Sequence, residues 1–237
     1  MKFNIYFKRF MILIICLLYI SFLTIDIFPW DSNLASNYFN SNLLKFLSIL
    51  LCFITSLIAY PIDNQPRNIF LLQLGLLFTV MADYIFLIYD ADYQLAIGLF
   101  SIVQIIYSLR YRRGEELKRL LKYLSIFFIV LISFRIGRMF CPLDFLIFMG
   151  IFYLICFLIS LKDAIKLNKI LQEDVSRRIV SGMVLFFLCD LSLGLNYLLT
   201  EGYFNGILVD KIKDLASLSV WIFYLPSQLL LSLSGYI

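Results

Sequence analysis

The chain contains no histidine. This removes the commonest general base near neutral pH and the commonest metal ligand. Serine is plentiful, but no histidine exists to activate one. Charge is also scarce. Asp, Glu, Lys and Arg make up 15% of the 237 residues, against about 25% in a typical soluble domain. Cysteine is limited to Cys16, Cys52, Cys141, Cys156 and Cys189, with no CxxC pair. Four of the five lie inside apolar runs, so they are expected to serve as small apolar side chains. The sequence has no GxSxG, Walker loop, HExxH or acidic metal cluster, and neither a metal nor an organic cofactor is expected. These shortages exclude a secreted disulfide scaffold and a His-dependent hydrolase.

Apolar residues are abundant. They account for 62% of the chain, and the mean hydropathy is +0.92. A soluble chain of this length needs far more polar surface to cover its core, so an ordinary cytosolic enzyme is excluded, as is a disordered chain. An all-α integral membrane bundle remains. Eight apolar runs can be marked, at about 10–29, 42–60, 68–89, 93–110, 120–137, 143–161, 178–200 and 217–236. Each approaches the roughly 20 residues that a membrane helix needs, and none alternates with the period of a strand. No loop is long enough for a second domain, so residues 1–237 are expected to form one transmembrane domain. The basic N-terminal stretch lacks a small-residue cleavage site and is expected to be retained as the first span.

The net charge of +4 is not a nucleic-acid signal, because the cations sit in short loops between apolar runs. Segments 1–9, 61–67, 110–122 and 162–178 hold 15 of the 20 Lys and Arg residues. Positive charge is retained on the cytoplasmic side. Both termini are therefore expected in the cytoplasm of a protein of the cell membrane. The same basic loops can also contact anionic lipid headgroups.

Charge inside an apolar run is the most informative feature. A carboxylate at mid-bilayer costs roughly 2.5–3.5 kcal/mol on insertion scales, so it normally faces an interior site. Asp83 and Asp190 lie well inside their runs. Gly75 stands eight residues before Asp83, and Gly182 eight before Asp190. This echo suggests two four-helix halves. Gly75, Thr79 and Asp83 share a helix face, as do Gly182, Phe186, Asp190 and Gly194, with Tyr197 near that face. Gln104 with Tyr107, and Tyr224 with Gln228, add polar pairs on the runs that follow. The expected arrangement is two facing acids in a polar pocket, with these four residues binding substrate or water. Plain interhelical hydrogen bonding is the competing role. Pro226 should kink the last helix. Asp26, just before Pro29 and Trp30, should reach the interface, and Lys45 should snorkel. Arg135 and Arg138 have a salt link to Asp144 within reach.

The stretches GLLFTVMADYIF, FSIVQIIY, SGMVLFFLCDLSLGLNYL and YLPSQLLL resemble, in order and spacing, the YhhN family of multi-pass membrane proteins, which includes the lysoplasmalogenases. The resemblance runs from about Asn68 onward. It carries the family's two aspartates onto Asp83 and Asp190, and its Y-x-x-x-Q element onto Tyr224 and Gln228. Gln104 stands where the family often has His, Ala82 where it often has Gly, and Cys189 where it often has Ser. The resemblance implies hydrolysis of the vinyl ether bond of lysoplasmalogens, releasing a fatty aldehyde and a glycerophospho-base. Two acids suit this chemistry: one can protonate the alkene carbon, while the other, ionised, stabilises the oxocarbenium ion and takes a proton from water. The implied partners are a lysophospholipid substrate and membrane lipids. A proton-coupled transporter or lipid-binding protein using the same acids is the alternative.

Overall fold

The structure is a computed structural model and describes residues 2–28, 35–59, 66–112, 114, 116–140, 144–201 and 206–236. Pro29, Trp30, Cys141 and part of the 61–67 segment lie outside these residues. The described chain is helical throughout, in the order α1 (Lys2–Ile27), α2 (Ala35–Leu57), α3 (Pro66–Tyr84), α4 (Tyr93–Tyr111), α5 (Glu116–Gly137), α6 (Phe145–Leu171), α7 (Asp174–Glu201) and α8 (Ile207–Leu233). Seven of these helices are long and apolar enough to cross a membrane; in α2 the apolar stretch is shorter, Ser41–Leu57. Their outer faces carry large apolar side chains, such as Leu13, Leu17 and Ile20 on α1 and Phe128, Ile129 and Ile132 on α5. This is the surface of an all-α membrane bundle, because lipid rather than water can cover it.

Local chemistry sets the helix ends. Pro66 occupies the first position of α3, where a missing N–H costs nothing. Asp144 caps α6 by accepting from the Leu146 N–H at 3.2 Å; among the described residues it forms no ion pair with Arg135 or Arg138. Gln172 closes the same helix in the left-handed region (φ 52°), and its N–H returns to the Asn168 carbonyl at 2.9 Å. After Tyr84 the chain widens into a π-helical turn, Ile85–Tyr89, that ends at Asp90 in the left-handed region. Such turns often stand beside functional residues; this one follows Asp83 directly.

The pairs α3–α4 and α7–α8 pack closely, and α4 also packs against α6. One large core of α1–α4 and α6–α8 side chains includes Phe22, Leu76, Tyr107, Phe186 and Leu225. A smaller cluster joins α5 to α6 through Val130, Phe134, Phe148 and Phe152. Helix α8 runs unbroken across Pro226. Proline has no N–H to give the carbonyl four residues earlier. That carbonyl, on Ile222, instead accepts the Tyr19 hydroxyl of α1 at 3.2 Å.

At one end of the bundle the basic residues hold the helix termini together. Buried Arg110 donates to Asn68 Oδ1 at 2.7 Å and to the Ser234 carbonyl at 3.2 Å. Arg178 donates to the carbonyls of Leu233 and Tyr236, and Arg67 pairs with Glu116. Lys45 and Asp26 also depart from expectation. They form an ion pair at 2.8 Å, with Ser41 donating to Asp26 at 2.6 Å. Lys45 is only 8% exposed and lies over the Trp221 ring at 5.0 Å. A carboxylate within reach, together with an aromatic face, outweighs the pull toward the interface.

The α3–α4 contact depends on Gly75, because a Cβ there would overlap the Tyr107 ring. Gly75→Ala should therefore lose about 1–3 kcal/mol through overpacking, read as a lower thermal midpoint in detergent. Gly150→Ala, where a Cβ meets nothing within 4 Å, should leave the midpoint unchanged or raise it. Equal behaviour of the two variants would show that the Tyr107 contact is not limiting.

Candidate functional site

Asp83 lies on α3 and is 4% exposed. Its partner comes from α8: the Tyr224 hydroxyl donates to Asp83 Oδ2 at 2.7 Å. Asp190 lies on α7 and is half-buried. Its partner comes from α6: the Tyr153 hydroxyl donates to Asp190 Oδ2 at 2.6 Å. Each acid thus takes one phenolic hydrogen bond from a neighbouring helix. Among the described residues neither carboxylate belongs to an ion pair.

The two Asp–Tyr pairs share one aromatic wall. The Phe100 ring of α4 lies 6.3 Å from Tyr153 and 6.4 Å from Tyr224. Phe186, one turn before Asp190, lies 5.6 Å from Tyr224 and 6.1 Å from Phe100. All four distances fall within the range of favourable ring contacts. Asp83 and Asp190 therefore belong to one neighbourhood. Its walls are mainly aromatic, in contrast to the expected polar pocket. Each phenol supplies polarity at a single atom, and the rings fill the remaining space.

The other candidates divide between the two sides. Gln104 accepts from Ser160 Oγ at 2.6 Å and lies beside the Tyr153 hydroxyl, on the Asp190 side. Its Nε2 is buried without a hydrogen-bond partner. Tyr107 lies against Gly75 and beside Thr79, one turn before Asp83, and its hydroxyl also lacks a partner. Gln228 is fully buried one turn beyond Tyr224; it reaches only the Ser227 hydroxyl, at 3.4 Å, and touches neither acid. Tyr197 and Gly194 face outward, Tyr197 being 43% exposed, and join no part of this arrangement.

A family model described as the YhhN family matches residues 40–235. The chain belongs to the YhhN family. No curated protein and no solved structure matches it significantly. The matched stretch holds every candidate residue above, together with Phe100, Tyr153 and Ser160, which the sequence reading passed over. Tyr153 and Ser160 lie seven residues apart on one face of a strongly apolar helix. The criterion that singled out Gln104 and Tyr107, a polar side chain inside an apolar run, finds them when applied to α6. Phe100 carries no such signal, since phenylalanine is common throughout the chain.

For a YhhN-family chain this arrangement has a plain chemical capacity. It presents two carboxyls, each oriented by one phenol, in surroundings where aromatic rings take the place of water. The phenols should be structural as well as orienting. Tyr153→Phe leaves the Asp190 carboxyl without its donor and should cost about 1–3 kcal/mol, with a matching fall in the thermal midpoint. Against an Asp190→Asn background the same change should cost measurably less, because residues that touch are not additive. Equal costs in both backgrounds would mean that the hydrogen bond contributes nothing to stability.

Proposed function

We propose that this membrane protein is a hydrolase that cleaves the vinyl ether bond of lysoplasmalogen-type lysophospholipids. The carrying observation is the pair of phenol-bound aspartates around one aromatic wall, in a chain of the YhhN family. One carboxyl delivers its proton to the alkene carbon distal to the ether oxygen. This leaves an oxocarbenium ion, which the aromatic faces of Phe100, Phe186 and Tyr224 favour. The other carboxylate stabilises the cation and accepts a proton as water adds to the carbon bearing oxygen. The resulting hemiacetal collapses as the second carboxyl gives its proton to the departing glyceryl oxygen and the first carboxylate takes the proton of the hemiacetal hydroxyl. One water is consumed, and the products are a fatty aldehyde and a glycerophospho-base. Both aspartates end in their starting protonation states. The unpartnered Gln104 Nε2 is placed to orient water or the ether oxygen on the Asp190 side, the role assigned here to the position where relatives often carry His. Tyr107, Tyr224 and Gln228 complete the substrate-binding set in this reading.

The proposal includes an orientation in the cell membrane. With 15 of the 20 Lys and Arg residues on one set of loops, both termini face the cytoplasm. Tags at either end should be accessible only from the cytoplasm, so that intact cells label only after permeabilisation. A terminus labelled from outside intact cells reverses the assignment.

The acid chemistry has its own test. Asn matches Asp in shape but neither donates an acidic proton nor carries charge. Asp83→Asn and Asp190→Asn should each lower kcat for aldehyde release by about 10²-fold or more. The double variant should be little worse than the poorer single one. Folding should survive, since the change removes a buried charge. Wild-type rates in both well-folded single variants would leave the hydrolase without a mechanism. Proton-coupled solute uptake into liposomes, with no aldehyde released, would instead assign the acids to transport.

A further inference from the structure

A second site lies at the basic end of the bundle, where α4, α5 and α6 converge. A cleft of about 270 Å³ is lined there by six cations: Arg112, Lys118, Arg119, Lys122, Lys162 and Lys166. Among the described residues its one carboxylate is Asp163, and Arg119 already holds that group at 2.9 Å. Ser108 also donates to Asp163, at 2.8 Å. Arg112, Lys122, Lys162 and Lys166 share the concave surface with them, and among the described residues no second carboxylate lines it. The wall also holds the Tyr123 hydroxyl. Tyr123 is 3% exposed; its hydroxyl lies beside Ser108 but makes no hydrogen bond. A buried donor without an acceptor, set among concentrated positive charge, matches an anion with several acceptor oxygens.

A solvated loop whose charges only set topology accounts for cations on exposed turns. It does not account for their convergence on a cavity large enough for several waters. Its position points to a lipid rather than a free ion. The cleft is built on the ends of three apolar helices, at Ser108 and Arg112 of α4, Lys118 to Tyr123 of α5 and Ile159 to Lys166 of α6, the level at which long cationic side chains meet lipid headgroups. The cleft is separate from the aspartates: Asp163 and Tyr153 are ten residues apart on α6, about 15 Å.

We infer that the α4–α5–α6 cleft binds the phosphate of an anionic phospholipid. The full-length protein in detergent, delipidated, is mixed with phosphatidylglycerol or with phosphatidylcholine at equal concentration, and retained lipid is read by native mass spectrometry. Phosphatidylglycerol should be retained in preference. Lys162 and Lys166 are exposed, so Lys162→Gln/Lys166→Gln should fold normally; its melting midpoint without added lipid checks this. If that variant melts early, Lys122→Gln/Lys166→Gln repeats the test. Each lost lysine should weaken phosphatidylglycerol binding by about fivefold and leave phosphatidylcholine unaffected. Equal retention of the two lipids, or an undiminished preference in the folded variant, overturns the inference. Displacement of phosphatidylglycerol by an equal concentration of inorganic phosphate also overturns it, since the site would then recognise the free anion and not the lipid.

Discussion

A carboxyl group inside an apolar bundle must receive hydrogen bonds or carry an unmet desolvation cost. Most membrane proteins can answer with a histidine or a cation. This chain has no histidine, and its buried cations are engaged elsewhere: Lys45 with Asp26, Arg110 with Asn68 and the Ser234 carbonyl. Tyrosine supplies the donors instead. A phenol brings one hydroxyl and a large apolar ring, so each Asp–Tyr pair also extends the core. The consequence reaches four helices. Tyr224 ties α8 to α3, Tyr153 ties α6 to α7, and Phe100 of α4 touches both rings. The helix arrangement and the proposed chemistry therefore rest on the same few contacts.

Much of this was legible in the sequence. The eight long apolar runs give the helices, because apolar length decides them largely independently of tertiary context. Asp83 and Asp190 stood out because ionisable groups are rare at such positions. The partners did not stand out. Which helix faces Asp190 is a question of packing across 37 residues of chain, and no periodicity within one helix encodes it. The sequence paired Gln104 with Tyr107 and Tyr224 with Gln228, but spacing did not encode which neighbour each meets: Gln104 turns to Ser160 of α6 and Tyr107 to Gly75 of α3. Tyr224 reaches an acid, while Gln228, one turn on, is closed off against Ser227. The fate of Lys45 was hidden for the same reason, since both Asp26 and Trp221 come to it from other helices.

Helix α6 connects the two functional regions while keeping them apart. Its inward face carries Tyr153 at the aspartates, Ser160 at Gln104, and Asp163 at Ser108 and Arg119. The polar groups grow more charged toward the basic end: a phenol, then a hydroxyl–amide pair, then an ion pair opening into a cleft of cations. This order follows from solvation. Near the middle of the helix only single neutral donors are inexpensive, whereas nearer its end water and headgroups lower the cost of full charge. A lysophospholipid carries only a few bonds between its ether oxygen and its phosphate, much less than the roughly 15 Å that separates Tyr153 from Asp163. One substrate molecule therefore cannot place its ether at the aspartates and its phosphate in the basic cleft. If both sites are occupied at once, they hold two different molecules, and the rigid α6 between them is the element through which one could sense the other.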